Sequence, residues 1–135
     1  GMVGAAAALA LDRAGLRVAL VDARADSAPT AADPVDLRVV AIAPHAERLL
    51  DRLGVWRDIL AVRAGPYGRM HVEDALGGAS LDFDAADYGW PRLGHIVENR
   101  LVAGVLNAAI ARDGRIRVEI PAAFARAEPV AHGLR

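Results

Sequence analysis

The 135-residue sequence has room for about one domain. That is short for a two-substrate redox enzyme, so a complete catalytic unit is not expected. Its 16 basic and 17 acidic residues leave a formal charge of −1, and no Lys/Arg-dense stretch offers a track for a phosphate backbone, which argues against nucleic acid as a partner. With no cysteine there is no disulfide framework, thiolate nucleophile or cysteine-ligated metal; this fits a reducing compartment, with the cytoplasm as the default.

The apolar fraction of 54% is largely alanine and only 4% of residues are aromatic, which suits close helix-to-sheet packing in an α/β protein. Met2 to Ala14 reads as a helix stopped by Gly15. Its apolar run, Gly1 to Leu11, is too short for a transmembrane segment and lacks the basic flank of a signal peptide. Arg17 to Asp22 reads as a buried parallel strand ending in an acid, and Ala23 to Pro34 as a surface loop. A second helix opens at Pro44, aligns Ala46, Leu49, Leu50 and Leu53 on one face and closes at Gly54. Arg69–Glu73 and Ser80–Asp84 alternate with period two, predicting a hairpin. The clearest helix carries Val102, Val105, Leu106, Ala109 and Ile110 on a face expected to lie against a sheet, with Gly114 past its end. Arg115 to Ile120 alternates like a strand, and the tail from Ala122 to Arg135 reads as an antiparallel pair.

Gly1-Met2-Val3-Gly4 directly before a helix is the second half of the dinucleotide fingerprint G-x-G-x-x-G. Gly1 would let the backbone approach a pyrophosphate at the helix N-terminus, and Gly4 would let helix and strand pack closely. The plainer alternative is a helix start built from small residues. Asp22 ends the next strand at about the 20-residue spacing from which an acid reaches a ribose hydroxyl. A carboxylate there would favour FAD or NAD over NADP, the alternative being a turn cap.

Several separate stretches together resemble the FAD-dependent hydroxylases of ubiquinone biosynthesis, aromatic-ring monooxygenases related to para-hydroxybenzoate hydroxylase. They are Gly1–Ala5, Val18–Asp22, Asp36–Ile42, Leu49–Trp56 and Leu93–Arg100, in matching order and spacing. The resemblance runs to about Ala111. It implies an FAD-binding Rossmann-like domain, a parallel sheet with helices plus a small β excursion between the second and third helices. The strand that precedes the first glycine would be missing and residues 1–135 would be a partial, N-terminal domain truncated at both ends, with poor stability and no activity of its own.

The same resemblance assigns Arg38 to the flavin nucleotide, where a guanidinium would neutralise pyrophosphate charge; from chemistry alone it could equally be a solvated loop arginine. Asn99 and Arg100 fall in a stretch that meets FAD. Asn99 is equally suited to N-cap its helix, whereas Arg100 sits poorly with the helix macrodipole and is better explained by a nearby anion. Arg24, just past Asp22, is a further candidate to lie near the nucleotide, the alternative being an ordinary loop arginine. The implied chemistry is NAD(P)H reduction of the flavin and transfer of oxygen to a phenol-like, prenylated ring. It requires no catalytic side chain visible in this chain, and none is assigned. The implied location is the cytoplasm or the inner face of the membrane, with peripheral contact left open and the oligomeric state undetermined.

An NAD-dependent dehydrogenase would share Gly1, Gly4 and Asp22 but not Arg38 or Glu98-Asn99-Arg100; a fragment binding no nucleotide is the third reading. His45, His71, His95 and His132 show no metal-ligand spacing, so no metal is expected, and most read as surface or helix-end histidines. Trp56 and Trp90 read as packing residues, and the acids Glu73, Asp74, Asp82 and Asp84 as facing water.

Overall fold

The computed structural model describes residues 1–24, 28–131 and 133–134; part of the predicted loop at 25–27, and His132, lie outside them. The first helix, α1 (Met2–Arg13), turns Ala5, Ala8 and Leu9 inward, and Gly15 follows it at φ +83°, where a side chain would be strained. Strand β1 (Ala19–Val21) pairs in parallel with β7 (Arg117–Glu119), Leu20 facing Val118. This pair is the parallel part of the fold. The order glycine turn, helix, strand is therefore as predicted.

A second, antiparallel sheet of order β2-β6-β3 joins β2 (Val39–Ile42), β6 (Gly94–Glu98) and β3 (Gly65–Tyr67). The register sets Val39 opposite Glu98 and Ile42 opposite His95. Between β2 and β3 lie α2 (Pro44–Arg52) and α3 (Trp56–Val62). Proline occupies the first turn of α2, where its missing N–H costs nothing. Leu50 and Leu53 are buried, but Leu49 is exposed, contrary to the predicted apolar face: a neighbour of Leu50 on a helix points about 100° away from it. Glu47, three residues before Leu50, takes the inward position instead.

Strands β4 (Arg69–Glu73) and β5 (Ser80–Asp84) form the predicted hairpin. Arg69 pairs with Asp84, and His71 with Asp82 and Glu73, on its charged side; Asp82 and Glu73 lie largely in water, but Asp84, expected there too, is mostly covered. A one-turn 3-10 helix at Ala85–Tyr88 follows, capped by the Asp84 carboxylate.

Helix α4 (Asn99–Asp113) is buried over much of its circumference, including Leu101, Val102, Val105, Leu106 and Ile110. Its principal neighbour is α1 rather than a sheet, with α3 and β6 also packed against it. Leu9, Ile59, Val97, Leu101 and Leu106 belong to one apolar core. The tail pair is present as β8 (Pro129–Val130) and β9 (Gly133–Leu134). Among the described residues no helix is long and apolar enough to cross a membrane.

Candidate nucleotide-binding site

Two chain reversals bring distant segments to the N-terminal end of α1. Strand β2 begins just after Arg38, and its antiparallel partner β6 ends at Glu98, so Arg38 and the start of α4 share one end of the sheet. Packing of α4 on α1 then sets Asn99 and Arg100 beside Gly1. The result is a cavity of about 510 Å³ lined by Gly1, Met2, Val3, Gly4, Arg24, Asp36, Arg38, Asn99, Arg100 and Ala103. Of the six residues singled out in the sequence, five line this cavity. The sixth, Asp22, is tied to its rim: the Gly1 amino group donates to the Asp22 carboxylate, which also accepts from the Arg24 backbone N–H at 3.2 Å.

Three guanidinium groups line the cavity against one carboxylate, that of Asp36, and the first turn of α1 carries no acid. Backbone N–H groups at that helix end add to the positive potential. Among the described residues Arg38 forms no ion pair, and its backbone is held on both sides: its N–H donates to Asp36 Oδ1 at 3.0 Å and its carbonyl accepts from Asn99 at 2.9 Å. Arg100 donates to the Pro34 carbonyl and lies 3.8 Å from Asp36, so part of the anion expected beside it belongs to the protein.

Other expectations need correction. Asn99 is the first residue of α4, not its cap; the N-cap position is Glu98, and neither caps through its side chain. The Asn99 Oδ1 atom is instead buried without a hydrogen-bond partner, as is Arg100 Nε. A Cβ built on Gly4 would meet Leu20 Cδ1 at 3.9 Å, an ordinary contact, so the approach of β1 to α1 does not itself demand glycine. His95 is buried rather than at the surface: its Nδ1 lies 2.6 Å from Glu47 Oε1, while Arg92 donates to Glu47 Oε2 at 2.8 Å. Burial pushes the Glu47 carboxyl up, but the bonds from Arg92 and His95 outweigh it and hold it below the usual range. Trp56 packs edge-on against His95 with ring centres 5.3 Å apart, as a packing residue should; Trp90 is more than half exposed beside Tyr88.

The backbone closely follows that of p-nitrophenol 4-monooxygenase PnpA from Pseudomonas putida DLL-E4, with a TM-score of 0.66 and 20% identity over 95% of this chain and 31% of that one. Glycine turn, helix, acid-ended parallel strand and that likeness define the class, a Rossmann-like α/β fold. No protein-family model matches the chain. In sequence it is 36% identical over 122 residues to 3-demethoxyubiquinol 3-hydroxylase of Escherichia coli (strain K12), covering 90% of this chain and 31% of that protein. It is 35% identical over 116 residues to ubiquinone hydroxylase UbiL of Rhodospirillum rubrum, covering 86% and 26%. The chain is thus a homologue of the ubiquinone-biosynthesis hydroxylases, and it spans less than a third of the length of these two relatives.

Proposed function

We propose that this chain is the FAD-binding part of a flavin-dependent monooxygenase that hydroxylates an aromatic ring, a ubiquinone precursor, with NAD(P)H and O2. The observation that carries the proposal is the convergence of Gly1, Gly4, Arg38, Asn99 and Arg100 on one cationic cavity at a helix N-terminus, with Asp22 at its rim. The donor set fits a dinucleotide. Helix-end N–H groups and the guanidinium groups of Arg38 and Arg100 suit a pyrophosphate, and the Asp22 carboxylate suits a ribose hydroxyl. Asn99 Oδ1 and Arg100 Nε, which make no hydrogen bond though Nε lies 3.8 Å from Asp36, are an acceptor and a donor that a ligand would satisfy.

Bound FAD would supply the redox and oxygen chemistry; the residues of this chain hold and orient it. A prenylated aromatic substrate resides in a lipid phase, so peripheral contact at the inner membrane face goes with this reading, the protein body remaining in the cytoplasm. An NAD-dependent dehydrogenase would use Gly1, Gly4 and Asp22 but leaves Arg38 and the Asn99–Arg100 wall without a role. Equilibrium titration of the purified chain with FAD and with NAD, followed by flavin fluorescence and by calorimetry, separates the readings. FAD binding that weakens in Arg38→Ala supports the proposal. Preference for NAD, or binding of neither, refutes it.

A further inference from the structure

We infer that Arg63 and Glu98 form a clamp that holds the segment 31–38, and with it Arg38, against the cavity, making them positioning residues for the nucleotide; the inference rests on the flavin reading for its ligand but not for its geometry. Neither residue lines the cavity. Arg63 closes α3 with extended backbone, φ −172° and ψ 139°, so its side chain leaves the helix. Its guanidinium donates to the carbonyls of Ala31 at 3.2 Å, Asp33 at 2.9 Å and Pro34 at 3.4 Å. The same group donates to both Glu98 oxygens, each at 3.2 Å.

Residues 28–38 form no helix or strand, so their backbone groups have no ladder to satisfy them. One planar fork supplies that role for three carbonyls while also meeting both Glu98 oxygens, more acceptors than the three N–H groups of an ammonium can serve. Glu98 completes the path. Its carboxylate, 4% exposed, accepts from the Asp36 N–H at 2.7 Å; Asp36 in turn accepts from the Arg38 N–H at 3.0 Å. The next residue, Asn99, donates to the Arg38 carbonyl. The route from Arg63 to Arg38 is therefore an unbroken series of hydrogen bonds anchored on a buried carboxylate that has Arg63 as its ion-pair partner.

The test compares Arg63→Lys and Arg63→Met with the parent 135-residue chain by amide hydrogen exchange without ligand and by FAD titration. Lysine keeps a charge opposite Glu98 and gives up the fork. The expected result is exchange at the Asp36 and Asn99 amides faster by about ten- to a hundred-fold in both variants, while Leu106 in the core keeps its protection. FAD affinity should fall by a similar factor, and Arg63→Lys should cost nothing further in an Arg38→Ala background, because both act through one guanidinium. Unchanged exchange at Asp36 and Asn99 in Arg63→Lys, or losses of FAD affinity that simply add, would overturn the clamp. Should Arg63→Met lose protection at Leu106, the lysine variant decides alone. A parent chain that binds no FAD defeats the flavin reading, and the exchange data still decide the clamp.

Discussion

Gly94 is the point at which the sheet bearing the cavity is most sensitive to a single methyl group. It begins β6, the middle strand, opposite Tyr67 of β3 and next to the Ile42–His95 pair of β2. A Cβ built there would overlap the Ile42 carbonyl oxygen outright, and would stand 3.1 Å from the Ile42 carbon and 3.2 Å from Tyr67 Cε1. The tyrosine ring can turn aside, but a backbone carbonyl cannot, so β2 must retreat by about 1 Å to reach an ordinary C···O contact. Overpacking of this kind costs about 1–3 kcal/mol, and stretching one or two ladder hydrogen bonds adds about 1 kcal/mol each. Gly94→Ala should therefore lose about 3 kcal/mol and lower Tm by roughly 10 °C for a domain of this size. Urea and thermal denaturation followed by circular dichroism measure both. A loss below about 0.5 kcal/mol, no larger than that of an innocuous surface change, would mean that β2 and β6 do not approach as closely as described.

Gly4→Ala provides the contrast, since an ordinary contact with Leu20 and helical backbone should make the folded chain more stable by about 0.5–1 kcal/mol in the same assay; destabilisation would show a tighter fit there. Asp22→Ala should lower FAD affinity roughly ten- to a hundred-fold, whereas the loss in Arg38→Ala should be larger at low than at high salt because it includes attraction to phosphate; titrations at two ionic strengths test the pair, and two unchanged affinities would unseat the nucleotide. Glu47→Ala breaks a buried pair and leaves the Arg92 guanidinium and His95 without their carboxylate, at an expected cost of about 3 kcal/mol by urea denaturation. Because the folded carboxyl of Glu47 titrates below its usual range, its contribution is complete above the ordinary glutamate pKa and is lost as pH falls through the lowered value; an acid melting curve in Glu47→Gln should lack that component. Bonds to Asp82 and then to Glu73 raise the His71 pKa, so its stabilisation is full below the ordinary histidine pKa and vanishes as pH rises through the raised one. Proton NMR titration should show that elevation, and Asp82→Asn should reduce it.

What could be read in the chain beforehand was local. Helix α1 and α4 carry their own stop signals at Gly15 and Gly114, and the β4–β5 hairpin alternates within a few residues of its turn. The glycine turn and Asp22 pointed to a nucleotide because their spacing along the chain carries the chemistry, whereas the stretch around Arg38 was reached only through the family resemblance. The β2-β6-β3 sheet was not anticipated: its strands are only three to five residues long, two start with glycine and one of these also contains Pro66, and their pairing is made across some 30 to 60 residues of sequence. Helix α3 escaped for its brevity, seven residues, and with it Arg63, whose partners lie in an irregular segment no periodicity describes. One signal was available and passed over: Glu47 stands at the i−3 position to Leu50 on an otherwise apolar face, and a carboxylate there calls for a buried cation or histidine.

The long-range register of β2 with β6 also bears on the order in which the molecule comes into being. The arginine-lined cavity draws its walls from both sides of a 40–97 excursion, and α1 meets α4 only after about 100 residues of chain exist. The β4–β5 hairpin rests on neighbouring contacts and is free to form early, and α1 closes its own helical hydrogen bonds locally but waits for α4 to cover its buried face, whereas the cavity cannot close until β6 and α4 have been made and docked. Binding of a ligand in the cavity would thereby be confined to the finished fold, and a ligand that binds that state alone would act as a latch on folding, its stabilisation growing with the logarithm of its concentration above Kd.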